Sequence, residues 1–200
     1  PGCHRCSLAS FRAPLLRQMT DFYLDPRSFS IPGLRDINKE WSNIPDTRIK
    51  NMIVVESQYL AFHKYLLDSL CFQWGDSNGK VIVGKLDHSV RAGAIKAAVL
   101  VSASIVEAAL RAHAEQRKYD LPKNERHRTF GVLVDAWEKS GARDLAVVWD
   151  DVKTLKDHRN TIHLYKAADE KMDFREVLAA EEGLLGSGNR AIDAMKKLTS

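Results

Sequence analysis

The sequence predicts an all-α fold. Apolar residues recur at helical spacing through most of the chain, and clusters of Gly, Pro, Ser and Asn separate the helical segments. Strand-like alternation is confined to residues 80–83. With 200 residues, of which 44% are hydrophobic and 28% charged, the chain is long enough to bury a core without disulfides. We therefore expect a helical bundle over residues 86–200, with an additional N-terminal helical region of unknown role over residues 1–85.

The first half of the chain predicts two helices with a loop between them. Residues 11–23 have an amphipathic pattern, whose apolar face would be buried first against the bundle or otherwise against a dimer partner. Three prolines and Gly33 break any period over residues 26–45, which indicates a loop. Asp46 or Thr47 is expected to cap a second helix that runs to about Phe72. This helix has a second apolar set beside its first, which suggests burial on more than one side. The members of this set are Met52, Val55, Tyr59, Phe62, Leu66 and Ser69.

The second half predicts four helices. The longest covers residues 87–118 and has small residues within a wide apolar stripe. A short helix over residues 129–139 ends at Ser140-Gly141, and a further helix follows over residues 142–166. The last helix covers residues 173–198 and contains Gly183, Gly186 and Gly188. Because each glycine costs roughly 1 kcal/mol relative to alanine inside a helix, we expect a kink or break there.

Charge and cysteine content restrict the classes of function. The net charge of +4, from 30 basic and 26 acidic residues, permits an RNA or phosphate partner without requiring one. The longest apolar stretch is interrupted by Lys96 and Glu107, so we predict no membrane span. Three cysteines are too few for a disulfide framework and favour a cytoplasmic location. Cys3 and Cys6 have metal-ligand spacing, but no second pair supplies the four ligands of a structural zinc site, so no metal is expected.

The densest chemistry lies in the segment from Lys156 to Tyr165. Arg159 and His163 are four residues apart, so on a helix they share a face. Arginine binds phosphate through two parallel hydrogen bonds, and histidine exchanges protons near neutral pH. RNA cleavage needs both functions and no metal, and Asn160 would orient the histidine or the substrate. The alternative is that Arg159 stabilises the helix C-terminus by its charge while His163 packs against the bundle.

Three segments of the second half, residues 97–110, 130–141 and 155–163, resemble the HEPN superfamily. Their order is similar too: a long small-residue helix with an acidic residue, a short helix ending in glycine, then a helix ending in Arg-Asn and His. The resemblance covers roughly residues 90–198. It implies a helical bundle that dimerises with its motif helices together. Many members are metal-independent ribonucleases of toxin–antitoxin and antiviral systems, whereas others are non-catalytic binding or interaction modules.

The resemblance also implies roles for individual residues. Arg159 and His163 would be the catalytic pair, and Asn160 the polar residue after the arginine. Tyr165 matches the tyrosine of a His-x-Tyr motif that a nucleotidyltransferase antitoxin modifies. In one respect the sequence departs from the family: only three residues separate Arg159 from His163, fewer than the nuclease motif usually has. This difference bears on catalysis more than on the fold.

Other charged residues are candidates around this motif. Glu107, on the long helix, would pair either with Arg159 or with Arg111 one turn away. RNA phosphates could be contacted by four further basic side chains, namely Lys156, His158, Arg126 and Arg128. For the last two, the alternative is a solvated loop.

Two further histidines, His113 and His127, are predicted to lie at the surface. Taken together, the sequence favours a HEPN-like RNA-binding homodimer, a metal-independent endoribonuclease of a toxin or antiviral defence system without a cofactor. An antitoxin or nucleotidyltransferase partner is part of this hypothesis. The alternative is a non-catalytic HEPN-like dimerisation or nucleotide-sensing module.

Overall fold

A computed structural model describes residues 21–24, 31–75, 81–85, 88–159 and 174–199, with side chains over residues 31–67, 93–159 and 183–199. Most of the described chain is helical, which confirms the all-α prediction in its coarse form. The α-helices are α1 (Leu34–Glu40), α2 (Thr47–Ser69), α3 (His88–Gln116), α4 (Phe130–Ser140), α5 (Trp149–Arg159) and α6 (Phe174–Met195). Two short 3-10 turns are Glu125–His127 and Ala146–Val148.

A small antiparallel sheet accompanies the helices. Its strands, in the order β1-β2-β3, are β1 (Asp21–Leu24), β2 (Leu70–Gly75) and β3 (Val81–Lys85). The strand β3 coincides with the short alternating segment of the sequence. The prediction of a helix over residues 11–23 is wrong at its end, because Asp21 and its successors pair with β2. Residues 11–20 lie outside the described part of the chain.

The start of α2 follows the predicted cap. The carboxylate of Asp46 accepts hydrogen bonds from the backbone N–H of Arg48 at 2.7 Å and of Ile49 at 3.0 Å. These bonds satisfy donors that the first turn of a helix leaves free. The helix ends at Ser69, a few residues earlier than expected, because Leu70 begins strand β2.

The predicted loop over residues 26–45 is wrong in its second half, where α1 forms. Ile37 and the residue that follows the helix, Trp41, are 3% and 0% exposed. Trp41 also donates from Nε1 to Ser57 Oγ of α2 at 3.0 Å. A seven-residue helix has little stability of its own, so this packing against α2 is what stabilises it.

Helix α3 forms the centre of the bundle. It packs against α2 on one side and against α6 on another, and α5 packs against α6. Apolar side chains of α1 and α2, including Ile53 and Leu60, belong to the same hydrophobic core as Ile105 and Leu110 of α3. The described helices before residue 85 are therefore continuous with the rest of the bundle; the division at residue 85 stays a prediction.

The ends and glycines of the later helices show where local sequence determines structure. Gly141 ends α4 with a left-handed φ of 70°, as predicted. The next helix begins at Trp149 instead of Ala142, after a 3-10 turn. The predicted break in the last helix is wrong, because α6 is uninterrupted from Phe174 to Met195. At Gly188 the packing of α6 against α3 explains the glycine, because a Cβ at this position would lie 2.8 Å from the Cβ of Ser102 on α3.

Within the described residues, one helical stretch is long and apolar enough to cross a membrane by length and composition alone. This stretch is Gly93–Gln116 in α3, and half of its most apolar window is buried inside the bundle. The central helix of a soluble bundle has this same character, so the fold is compatible with a soluble protein. A cytoplasmic location stays a prediction.

Candidate functional site

Arg159 is the last residue of α5 and contacts α3. Two residues of α5, Val152 and Leu155, are fully buried and hold this helix against the bundle. Arg159 lies one turn after Leu155, so its side chain leaves the buried face at the rim of the helix pair. There its Nη1 donates a hydrogen bond to the Glu107 carboxylate of α3. The Arg159 side chain is 35% exposed and that of Glu107 20%, so solvent reaches the pair.

The pairing of Glu107 decides between the two alternatives that the sequence left open. Arg111, one turn further along α3, uses its guanidinium elsewhere. Its Nε donates to Glu115 at 2.7 Å and its Nη2 to Glu125 at 3.0 Å. The hydrogen bond to Glu115 is the main reason why the pKa of Arg111 lies above its ordinary value. Glu107 is thus the partner of Arg159.

The other proposed members of the motif, Asn160, His163 and Tyr165, lie outside the described residues. The two basic side chains before Arg159 are described. Lys156 lies 3.1 Å from the carboxylate of Asp157, and His158 is half-buried. Both basic residues stand with Arg159 in the last turn of α5, where positive charge interacts favourably with the helix dipole. The alternative interpretation of Arg159, a stabilising charge at a helix C-terminus with His163 packed against the bundle, stays a prediction.

Arg128 holds the connector between α3 and α4 in place. Its Nη1 donates to Glu115 at 2.6 Å and its Nε donates to the carbonyl of Pro122 at 2.8 Å. The side chain is only 18% exposed, so few of its donors are directed at solvent. This geometry gives Arg128 a structural role in the fold. The neighbouring Arg126 is exposed and available to a partner.

The connector between α3 and α4 contacts α3 at a different position along the helix axis from the ion pair of Arg159 with Glu107. Arg128 contacts Glu115, which is eight residues beyond Glu107. At 1.5 Å per residue, this corresponds to roughly 12 Å along the helix axis. The predicted RNA contacts therefore do not form one compact cluster: Lys156, His158 and Arg159 are close together, whereas Arg126 and Arg128 are further along the bundle.

The prediction that His113 lies at the surface is wrong, whereas His127 is exposed as expected. His113 is fully buried, and its Nε2 lies 3.5 Å from the Asn43 amide nitrogen. That amide donates to the carbonyls of Met195 at 2.7 Å and Leu198 at 3.0 Å. Burial, assisted by the nearby cation of Arg117, lowers the pKa of His113 to about 4. The sequence contained a signal for this burial, because His113 follows the apolar positions of α3 at helical spacing.

A metal site is not formed by the described side chains. Among them, no three His, Cys, Asp or Glu residues approach one another closely enough to share an ion. Cys3 and Cys6 lie outside the described residues.

No protein-family model matches this chain, and neither the curated proteins nor the solved structures give a match. The resemblance to the HEPN superfamily therefore remains a prediction from the sequence motifs.

Proposed function

We propose that this protein is a HEPN-like RNA-binding protein in which Arg159, Asn160 and His163 form a metal-independent endoribonuclease site. The observation that supports this proposal is the placement of Arg159. Its guanidinium is solvent-accessible, stands at the rim of α5 and α3, and is fixed there by Glu107. A fixed cation that solvent can reach is suited to bind a phosphate.

Glu107 acts as a positioning residue in this proposal. A guanidinium has five N–H donors in one plane, and the contact with Glu107 orients this plane. The donors on the opposite edge of the guanidinium then bind a phosphate oxygen without further ordering of the side chain. Two further basic side chains, Lys156 and His158, stand in the same turn of α5.

The proposed reaction is an attack by the RNA's own 2′-hydroxyl. His163 takes the proton of that hydroxyl, and the 2′-oxygen forms a bond to the adjacent phosphorus. The bond from phosphorus to the 5′-oxygen breaks, and an acid returns a proton to this leaving oxygen. Arg159 stabilises the charge that grows on the phosphate oxygens. In a homodimer with facing motif helices, the partner's His163 is the acid. The products are a 2′,3′-cyclic phosphate and a 5′-hydroxyl.

One observation favours a second candidate, a non-catalytic HEPN-like dimerisation or nucleotide-sensing module. Glu107 compensates part of the charge of Arg159, and this weakens the attraction of the site for a polyanion. A module that only recognises a nucleotide or holds two copies together needs less positive charge than a nuclease. The two candidates differ in whether a covalent bond of the RNA is broken.

The test is incubation of purified protein with labelled RNA in the presence of a chelator. We compare the natural protein with Arg159→Ala and His163→Ala, and with Arg143→Ala as a matched control. Arg143 is an exposed arginine before the start of α5. Fragments that end in a cyclic phosphate, lost in the first two variants and retained in the third, support the nuclease. Equal background from all four proteins refutes it.

RNA binding is measured separately by fluorescence anisotropy with a substrate that carries 2′-O-methyl groups and cannot be cleaved. Binding that Arg159→Ala weakens while no fragments appear favours the non-catalytic candidate. Regulation is tested by co-expression with a nucleotidyltransferase antitoxin, followed by mass spectrometry of the tryptic peptide that contains Tyr165. An unmodified Tyr165 would exclude this form of regulation.

A further inference from the structure

Helix α2 has a second apolar face, which no described part of the chain covers. Its four residues are Met52, Val55, Tyr59 and Phe62, which are 68%, 57%, 48% and 38% exposed, and we call them the α2 stripe. On the side facing the core, Ile53, Leu60 and Leu67 pack in the hydrophobic core and are at most 4% exposed. One helix thus has one apolar face within the bundle and another that the described residues leave exposed.

The spacing of the α2 stripe is that of a helix–helix seam. The intervals between its residues are three, four and three, and Leu66 continues the series after four more. This alternation is the repeat of the a and d positions in a coiled coil, where side chains of one helix fit between those of another. On a helix face that contacts only water, polar residues would serve equally well at these positions. The natural occupant of the α2 stripe is therefore another helix with a matching seam.

We infer that this occupant is α2 of a second copy of the chain, antiparallel across a twofold axis near residue 57. In that arrangement Met52 faces the partner subunit's Phe62, and Val55 faces the partner subunit's Tyr59. Each layer then combines an aromatic ring with a smaller or more flexible side chain, which fills space well. A parallel arrangement would instead place Tyr59 against the partner subunit's Tyr59.

A groove beside Met52 fits the same arrangement. It lies between α2 and α3, has a volume of about 270 Å³, and is lined in part by the exposed side chain of Leu100. Its other lining residues are Met52, Ile53, Glu56, Val101, Ser104, Ile105 and Ala108. A cavity of about 150 Å³ can hold benzene, so this groove has room for a phenyl ring. The twofold axis brings the partner subunit's Phe62 to this place.

The area of the surface agrees with what a dimer requires. A full aromatic side chain has roughly 200 Å². The aliphatic side chains have somewhat smaller areas. When each area is multiplied by the exposed fraction of its side chain, the α2 stripe and Leu100 together expose on the order of 400 Å² of apolar surface. This area is within the range of functional patches. A twofold contact uses this patch twice, about 800 Å² in all. Since the core of such interfaces is about 65% apolar, the total is about 1,200 Å², at the lower limit for specific dimers.

This inference goes beyond the proposed function and does not depend on it. The α2 stripe lies on α2, on the side away from the core, whereas Arg159 lies on α5 and contacts α3. A dimer through α2 would therefore form whether or not the protein binds or cleaves RNA. Its test uses no RNA, so a failure of either proposal can be recognised separately.

The test is sedimentation velocity of the full-length chain over concentrations from about 1 to 100 µM, a range suited to interfaces of this size. We expect Val55→Glu to halve the mass of the assembly that the natural protein forms, because the α2 contact, with at least a 30-fold weaker dissociation constant, is lost while any contact through the motif helices remains. Val147→Glu is the matched control, because Val147 is 99% exposed and lies on a 3-10 turn outside the α2 stripe. Circular dichroism must show equal helix content for the variants.

The double variant Val55→Glu/Tyr59→Lys distinguishes the two directions of pairing. In the antiparallel arrangement the new acidic and basic side chains face each other, so dimerisation recovers relative to Val55→Glu. In a parallel arrangement like charges face each other and the double variant assembles no better than Val55→Glu. A natural protein that is monomeric at 100 µM overturns the inference, and so does an assembly whose mass Val55→Glu leaves unchanged. A double variant that does not recover overturns the antiparallel direction.

Discussion

Acidification should destabilise this protein through His113, a fully buried histidine on α3. Its Nε2 faces the N–H₂ group of Asn43, which is a donor and cannot accept a proton from an imidazolium. Its Nδ1 is buried and has no hydrogen-bond partner among the described residues. The charged form therefore loses water without gaining an acceptor, and Arg117 adds repulsion that Asp144 only partly offsets.

The magnitude follows from the difference between the folded and unfolded pKa. The pKa of His113 falls from 6.5 in the unfolded chain to about 4 in the folded protein. Between these values only the unfolded state binds the proton, so protons favour unfolding. Stability from this group is complete above pH 6.5 and is lost as the pH falls towards 4. One pH unit corresponds to 1.36 kcal/mol, so the total is about 3 kcal/mol, and about 2 kcal/mol is lost between pH 7.5 and 5.

The assay is urea denaturation followed by circular dichroism at several pH values between 7.5 and 5. The natural protein is compared with His113→Gln, which cannot take up the proton. All carboxylates titrate in both proteins, so the difference between the two pH dependences isolates His113. We expect the natural protein to lose about 2 kcal/mol more than the variant, or roughly 4–8 °C in Tm for a chain of this size.

A matched control is His127→Gln, because His127 is exposed on a 3-10 turn. Its pH dependence should be the same as that of the natural protein. If His113→Gln and the natural protein lose stability in parallel, or if NMR titration places the pKa of His113 near 6.5, burial does not keep this imidazole neutral and the reasoning is refuted.

Other positions give predictions of stability that the same denaturation experiment can check. Asp46→Ala should cost about 1 kcal/mol because the cap of α2 is lost, whereas Asp46→Asn should cost little, since asparagine caps equally well. Gly188→Ala should cost about 1–3 kcal/mol because its Cβ would collide with Ser102, whereas Gly183→Ala, with no atom within 4 Å of the new Cβ, should stabilise α6 by up to about 1 kcal/mol. Gly141→Ala should cost about 1 kcal/mol at its left-handed φ of 70°, and Gly141→Asn clearly less. Equal effects within any of these pairs would contradict the geometry given for it.

The sequence correctly predicted the features that depend on neighbours in the chain. The cap by Asp46 and the end of α4 at Gly141 are both set by residues within a few positions. The two apolar faces of α2 were visible in the spacing, but the prediction that both are buried is wrong within the described chain, because Met52 and Val55 are 68% and 57% exposed. For the motif of Arg159, the sequence supplied the residue types and left its ion-pair partner open.

Features that depend on distant residues required the tertiary structure. The short helix α1 is stable because Trp41 packs against α2, and no local signal in a proline-containing segment contains that information. Position 188, inside α6, suits glycine because Ser102, 86 positions earlier in the chain, lies too close for a Cβ. Helix propensity and capping act over one turn of the chain, whereas burial and ion pairs such as Glu107 with Arg159 join residues that only the packing of helices brings together.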